Sequence, residues 1–127
     1  MAEVVLDASA LLALLNQEPG SQVVAAALSR AAISAINLCE VVTKLANAGM
    51  LEATIRKVVG GLSLEIEPFD IDQTYEAGML HTITKSFGLS LGDRGCLSLA
   101  RRLNLPVLTA DRTWAQLKVG VQIKVIR

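Results

Sequence analysis

At 127 residues the chain has room for a single domain, taken as 1–127, whose core is large enough to fold without disulfide or metal staples. Its 12 basic and 12 acidic residues leave no net charge. A surface that grips nucleic acid by bulk charge is therefore excluded unless the charges are segregated, and the closeness of Arg94, Arg101 and Arg102 is the one hint of that. Aromatics are 3% of the chain, too few for a base-stacking platform, while 52% of residues are hydrophobic, a composition that suits buried parallel strands flanked by helices.

Glu3-Val4-Val5-Leu6-Asp7 reads as a short buried strand ending in an acid, followed at once by a helix over Ser9–Leu15. Glu18-Pro19-Gly20-Ser21 is a turn and helix start, and helical spacing runs on to Arg30. Ala32–Ala35 forms a second strand. Asn37–Ala48 is a helix ended by Gly49, and Leu51–Val59 is another, closed by Gly60-Gly61. Leu64–Glu67 alternates like a strand with one polar face, and Pro68 stops it. Asp70–Phe87 is a long helix ending at Gly88. Ser90 is placed to cap a helix over Gly92–Leu103. Pro106–Thr109 is a strand with Asp111 just beyond it, Thr113–Leu117 a short helix, and Val121–Ile126 a closing strand. Strands alternate with helices throughout, which predicts a three-layer α/β/α sandwich around a mostly parallel sheet.

No apolar run reaches the length of a membrane span, and no basic stretch precedes the first one, which Asp7 interrupts. Neither a signal peptide nor a membrane contact is expected, and the cytoplasm is the expected compartment. Cys39 and Cys96 match no zinc or redox spacing and read as small buried apolar residues.

In open parallel sheets, ligands sit beyond the carboxyl ends of the strands. Asp7 and Asp111 fall at such ends, and Glu40 and Asp93 fall near the starts of helices. The sequence is compatible with all four converging on one edge of the sheet. Carboxylates gathered there repel one another and need a counter-charge, which Mg²⁺ or Mn²⁺ supplies. Such an ion activates water and polarises a phosphate oxygen, and a second ion can stabilise the leaving 3′-oxygen, giving 5′-phosphate and 3′-hydroxyl products. The lone histidine, His81, reads as a helix-surface residue, so metal-free acid–base cleavage is poorly stocked. Each acid has a plainer reading too. Asp7 and Asp111 serve as N-caps, Asp93 favours a helix dipole, and Glu40 pairs with Lys44 one turn on. Ser9 and Thr109, each two residues from an acid, assist the site or bond locally. Arg94 and Arg112 bind phosphate or, the preferred reading, face solvent. Trp114 reads as packing.

The strings Val4-Val5-Leu6-Asp7-Ala8-Ser9-Ala10, Asn37-Leu38-Cys39-Glu40-Val41-Val42, Leu89-Ser90-Leu91-Gly92-Asp93-Arg94-Gly95-Cys96-Leu97 and Pro106-Val107-Leu108-Thr109-Ala110-Asp111, in that order, resemble PIN domains, and among them the VapC-type toxins of toxin–antitoxin pairs. The resemblance spans essentially the whole chain. It implies a Rossmann-like fold and a Mg²⁺- or Mn²⁺-dependent endoribonuclease. Asp7, Glu40 and Asp93 match the family's principal acids, Asp111 the more variable fourth, and Thr109 an assisting hydroxyl. It further implies a homodimer, for which apolar surface on the helices between Gln22 and Val59 is the candidate face, and a cognate antitoxin whose C-terminal segment covers the acids. Gly95 departs slightly from the family pattern, at a small cost in helix propensity. The alternatives are a phosphotransfer domain with Asp7 as phospho-acceptor, which lacks the expected lysine at a late strand end, and a non-catalytic PIN-like binding module.

Overall fold

The computed structural model describes residues 1–127 as a five-stranded sheet in the order β3-β2-β1-β4-β5, every neighbouring pair parallel. The strands are β1 (Val4–Leu6), β2 (Ala31–Ser34), β3 (Glu65–Glu67), β4 (Val107–Thr109) and β5 (Ile123–Val125). Helices α1 (Ala8–Leu15) and α2 (Ser21–Ala27) connect β1 to β2, α3 (Ala35–Asn47) and α4 (Glu52–Gly61) connect β2 to β3, and α5 (Ile71–Thr84) and α6 (Leu91–Leu103) connect β3 to β4. No helix is long and apolar enough to cross a membrane.

Strand β1 shows why the sandwich has three layers. Val4, Val5 and Leu6 are all buried, and the pleat sends them to opposite faces. Val4 and Leu6 join Leu11, Val24, Ile33, Val41 and Ile55 in one core. Val5 joins Leu80, Leu97, Leu99, Val107 and Trp114 in the other. A strand buried on both faces carries a continuous apolar run rather than an alternating one.

The strand order reverses at β1, whose neighbours β2 and β4 belong to opposite arms of the sheet. The carboxyl ends of β1 and β4 therefore flank the topological switch point, where crossovers on either side leave a crevice. Asp7 follows β1 directly and Asp111 lies two residues past β4.

Several boundaries differ from the sequence expectation. The sheet is wholly parallel. Gly60 and Gly61 lie inside the last turn of α4 rather than beyond it. The long helix stops at Thr84 and tightens into a 3₁₀ turn over Lys85–Phe87 before Gly88 takes a left-handed φ of 62°. Strand β3 has no simple polar and apolar faces, because it is an edge strand and Ile66 is exposed. Cys39 is exposed on α3, against the expectation that both thiols are buried; Cys96 alone lies in the core. Gly95 has a packing reason: a Cβ there would come within 2.6 Å of Ile36 Cγ2, so the glycine lets α6 approach α3.

Candidate active site

Asp7, Glu40, Asp93 and Asp111 line one hollow of about 170 Å³, together with Ala8, Ser9, Leu12, Asn37 and Lys44. Four separate segments supply the acids, so the sheet and its crossovers bring them together. Each acid is also anchored locally.

Asp7 is the N-cap of α1 and is nearly inaccessible. Its Oδ1 accepts from the Ala10 backbone N–H at 2.8 Å and from Ser9 Oγ at 2.7 Å, and its Oδ2 accepts from Thr109 Oγ1 at 2.6 Å. Thr109 Oγ1 in turn accepts from the Asp111 N–H at 3.0 Å, and Ser9 Oγ accepts from the Ala110 N–H at 2.9 Å. The two hydroxyls thus tie the end of β4 to the start of α1. Burial pushes the Asp7 carboxyl up to about 6, against the pull of these hydrogen bonds, and the charge of Asp93 adds a smaller push in the same direction.

Asp93 forms a capping box with Ser90. The Ser90 N–H donates to Asp93 Oδ2 at 2.9 Å, and the Asp93 N–H donates to Ser90 Oγ at 3.1 Å. Asp111 caps the 3₁₀ turn Arg112–Gln116 by accepting from the Thr113 N–H at 2.9 Å and from Thr113 Oγ1 at 2.7 Å. The plain capping readings of Asp7, Asp93 and Asp111 are therefore realised at the same time as their convergence.

The plain reading of Glu40 is not realised. Its partner is Asn37, whose Nδ2 donates to Glu40 Oε1 at 3.1 Å, and no Glu40–Lys44 ion pair forms. Partial burial raises the Glu40 carboxyl above its ordinary range, with Asn37 opposing and Asp93 adding to the rise.

Arg94 neither faces solvent nor enters the hollow. It is half-buried, and its guanidinium donates to the Ala77 carbonyl of α5 at 2.9 Å. Arg102 is held by Asp70 at 3.1 Å and lies near Glu76. The basic cluster expected from Arg94, Arg101 and Arg102 is thus spent largely on tying α6 to α5, and Lys44 is the one cation lining the acids. Arg112 is exposed and donates to the Arg127 carbonyl; His81 is exposed on α5, and Trp114 is buried in the core.

Two residues of the site carried no role in the sequence reading. Asn37 is buried and bridges Glu40 to the Gly92 carbonyl of α6 at 2.9 Å. Its signal was available: Asn37, Val41 and Leu45 form the buried stripe of α3, and a polar residue on such a stripe calls for a partner. Gly92 had no such signal, since its importance lies in the crossing of α6 over α3.

The donors on the hollow are carboxylates with no thiolate or imidazole among them, the set that hard divalent cations prefer. No three of the acids form a group that could hold a metal ion as they stand, and Asp93 and Asp111 are engaged in their own caps. The residues present fit a divalent cation in their chemistry and in lining one hollow, and not in their spacing as they stand.

The PIN domain family model matches residues 4–120. Among solved structures, the fold is similar to a DNA-bound VapBC complex from Salmonella typhimurium, with a TM-score of 0.77, 20% identity and 100% of each chain covered. It is equally similar to a toxin–antitoxin complex from Klebsiella pneumoniae, with a TM-score of 0.77, 20% identity and 98% of each chain covered. VapBC2 from Rickettsia felis, bound to a DNA fragment from its promoter, gives a TM-score of 0.75 at 21% identity, covering 96% of this chain and 97% of that one. No curated protein sequence matches the chain. A match that runs from β1 almost to the last strand takes in every acid of the hollow, and on it the chain belongs to the PIN domain family.

Proposed function

We propose that the chain is a divalent-metal-dependent endoribonuclease, the toxin of a toxin–antitoxin pair. The observation that carries this reading is the gathering of Asp7, Glu40, Asp93 and Asp111 from four segments onto one hollow at the switch point of the sheet. A fold alone does not confer an activity; a site does. Membership of the PIN family and the likeness to VapBC structures support the toxin assignment.

Asp7, Glu40, Asp93 and Asp111 would hold Mg²⁺ or Mn²⁺. When bound, such an ion lowers the pKa of a water and neutralises charge on the scissile phosphate. Asp7 is the fixed member, oriented by Ser9, Thr109 and the first turn of α1. Asp93 and Asp111, now engaged in their caps, would have to leave them to join Asp7 as ligands. Lys44 on the rim of the hollow offers the phosphodiester an opposite charge among acids that otherwise repel it. Ser9 and Thr109 assist by holding Asp7. Arg94 holds α6 in place and does not reach the substrate.

Phosphotransfer through Asp7 fits the geometry less well. The end of β4 presents Thr109, whose hydroxyl bonds Asp7 Oδ2, where a phosphoryl-binding lysine is needed.

The likeness to VapBC complexes supports a cognate antitoxin as partner, whose segment would cover the acidic hollow. A second copy packs on α5, where Ile71, Tyr75, Met79 and Ile83 repeat every four residues and stay 61–72% exposed. The face expected from the sequence, on the helices between Gln22 and Val59, also offers apolar surface: Leu38, Val42, Met50, Ile55 and Val59 line a shallow hollow there, and Leu51, just before α4, is exposed. The test of the central claim is cleavage of a mixed RNA pool by the purified chain with Mn²⁺. Cleavage that survives excess EDTA, or survives Asp7→Asn, overturns it.

A further inference from the structure

Glu40 sits in a notch in α6, and two uncharged residues make that notch. The first is Gly92, in the first turn of α6. A Cβ at this position would overlap Glu40 Oε1 and lie 2.6 Å from its Cδ, so the carboxylate occupies space that any other residue would fill. The second is Asn37, one turn before Glu40 on α3. Its Nδ2 bonds Glu40 Oε1 at 3.1 Å and the Gly92 carbonyl at 2.9 Å. Both partners are acceptors, so the amide must present its NH₂ group to them. That requirement fixes the orientation and leaves Asn37 Oδ1 buried without a partner. A buried unpaired amide oxygen is costly, and Asn37 lies on the stripe with Val41 and Leu45, where an apolar side chain would avoid the cost.

We infer that Asn37 and Gly92 are positioning residues, a cradle that holds the Glu40 carboxylate against the first turn of α6 beside Asp93, where it joins the divalent cation. The inference rests on the acidic hollow being a cation site. Gly92 clears the space and Asn37 fixes the carboxylate within it. Neither residue touches the ion or the substrate. Metal-binding side chains oriented by such outer partners lose about tenfold to 100-fold in affinity when the partner is removed.

The test is Mn²⁺ binding to the full chain without RNA, read from the electron paramagnetic resonance signal of free Mn²⁺. Gly92→Ala and Asn37→Ala are each expected to weaken binding by about tenfold or more. In a Glu40→Ala background neither should weaken it further. Glu40→Asp, one methylene shorter, should recover part of the loss caused by Gly92→Ala. Asn37→Leu, an apolar near-isostere, guards against simple misfolding: the relief of the unpaired Oδ1 offsets the lost donor, so the melting temperature should stay near the wild-type value while Mn²⁺ binding weakens, a split that a packing role does not produce. Wild-type Mn²⁺ affinity in the folded single variants overturns the cradle alone, as does an equal loss in the Glu40→Ala background. A wild-type chain that takes up no Mn²⁺ overturns the cation site, and the cradle with it.

Discussion

Thr109 Oγ1 donates to Asp7 Oδ2 at 2.6 Å across 102 residues of sequence, joining the end of β4 to the start of α1 at the point where the strand order reverses. The same hydroxyl accepts from the Asp111 N–H, so one side chain organises two of the four acids. Thr109→Val keeps the shape and removes both bonds. It should cost about 1–3 kcal/mol of stability, because a buried carboxylate oxygen and a backbone N–H lose partners together. It should also move the acid limb of the pH–activity profile upward, since the Thr109 bond works against the burial that raises Asp7. Chemical denaturation and a pH–rate series check both. An unmoved acid limb would separate Thr109 from the ionisation of Asp7.

Asp7→Asn should inactivate the chain and stabilise it near neutral pH. The folded Asp7 carboxyl sits at about 6, above its ordinary value of 3.8. Between those values the folded chain holds a proton that the unfolded chain has released. Stability from this group is therefore full below the lower value and lost as pH rises through the upper one. The full difference is about 3 kcal/mol. An Asn amide cannot accept from every present donor, so the net gain is about 1–2 kcal/mol, or a rise of about 3–8 °C in melting temperature. Melting curves at pH 7.5 and pH 4 decide it: the gain should be present at the first and absent at the second.

Lys44→Ala should raise KM more than it lowers kcat, because Lys44 lines the hollow without an ion pair and is free to meet phosphate. The slope of log binding against log salt should shrink by about 1, the signature of one lost phosphate contact. RNA binding in Ca²⁺ or with an inactive background, measured across a salt series, gives the slope. An unchanged slope would leave Lys44 as a bystander.

The acids were legible because their positions depend on single segments. An acid ending an apolar strand and an acid three residues past a capping serine can be placed from local pattern alone, and alternating strands and helices put such positions on one edge of a parallel sheet. What escaped depends on how α6 crosses α3 and α5. Gly95 reads as a helix weakness, and Gly92 only as a helix start, until a neighbouring side chain is seen in the space of the missing Cβ. Arg94 reads as a solvent charge until α5 offers the Ala77 carbonyl. Glu40 reads as a partner for Lys44 because helical spacing allows it, and only the notch shows why Asn37 holds it instead. Cys39 faces outward for a local reason: it lies two residues from Asn37, about 200° around α3 from the buried stripe of Asn37, Val41 and Leu45.

Gly95→Ala should destabilise the fold although alanine is the better helix former. Propensity favours Ala by about 1 kcal/mol in a helix interior. Against that, the new Cβ would sit 2.6 Å from Ile36 Cγ2 and 3.4 Å from the Phe69 ring. Overpacking of this kind costs about 1–3 kcal/mol. The net expected loss is about 1 kcal/mol, and Ile36→Ala should remove it, because the two positions are in contact and couple. Denaturant unfolding of the two single variants and the double variant completes the cycle.

Met79→Glu should leave the monomer folded and break its self-association. Met79 is 66% exposed at the middle of the α5 stripe, so a charge there meets water in the monomer and costs little. In a two-fold contact the same residue approaches its own copy across the axis, where two carboxylates would be desolvated and opposed. Light scattering during gel filtration should show the wild-type chain at twice its monomer mass and the variant at the monomer mass, with equal melting curves at low concentration. Leu51→Glu, on the helices expected from sequence to form the contact, should not change the mass. If Leu51→Glu dissociates the dimer and Met79→Glu does not, the contact belongs to that face and α5 is free for another partner.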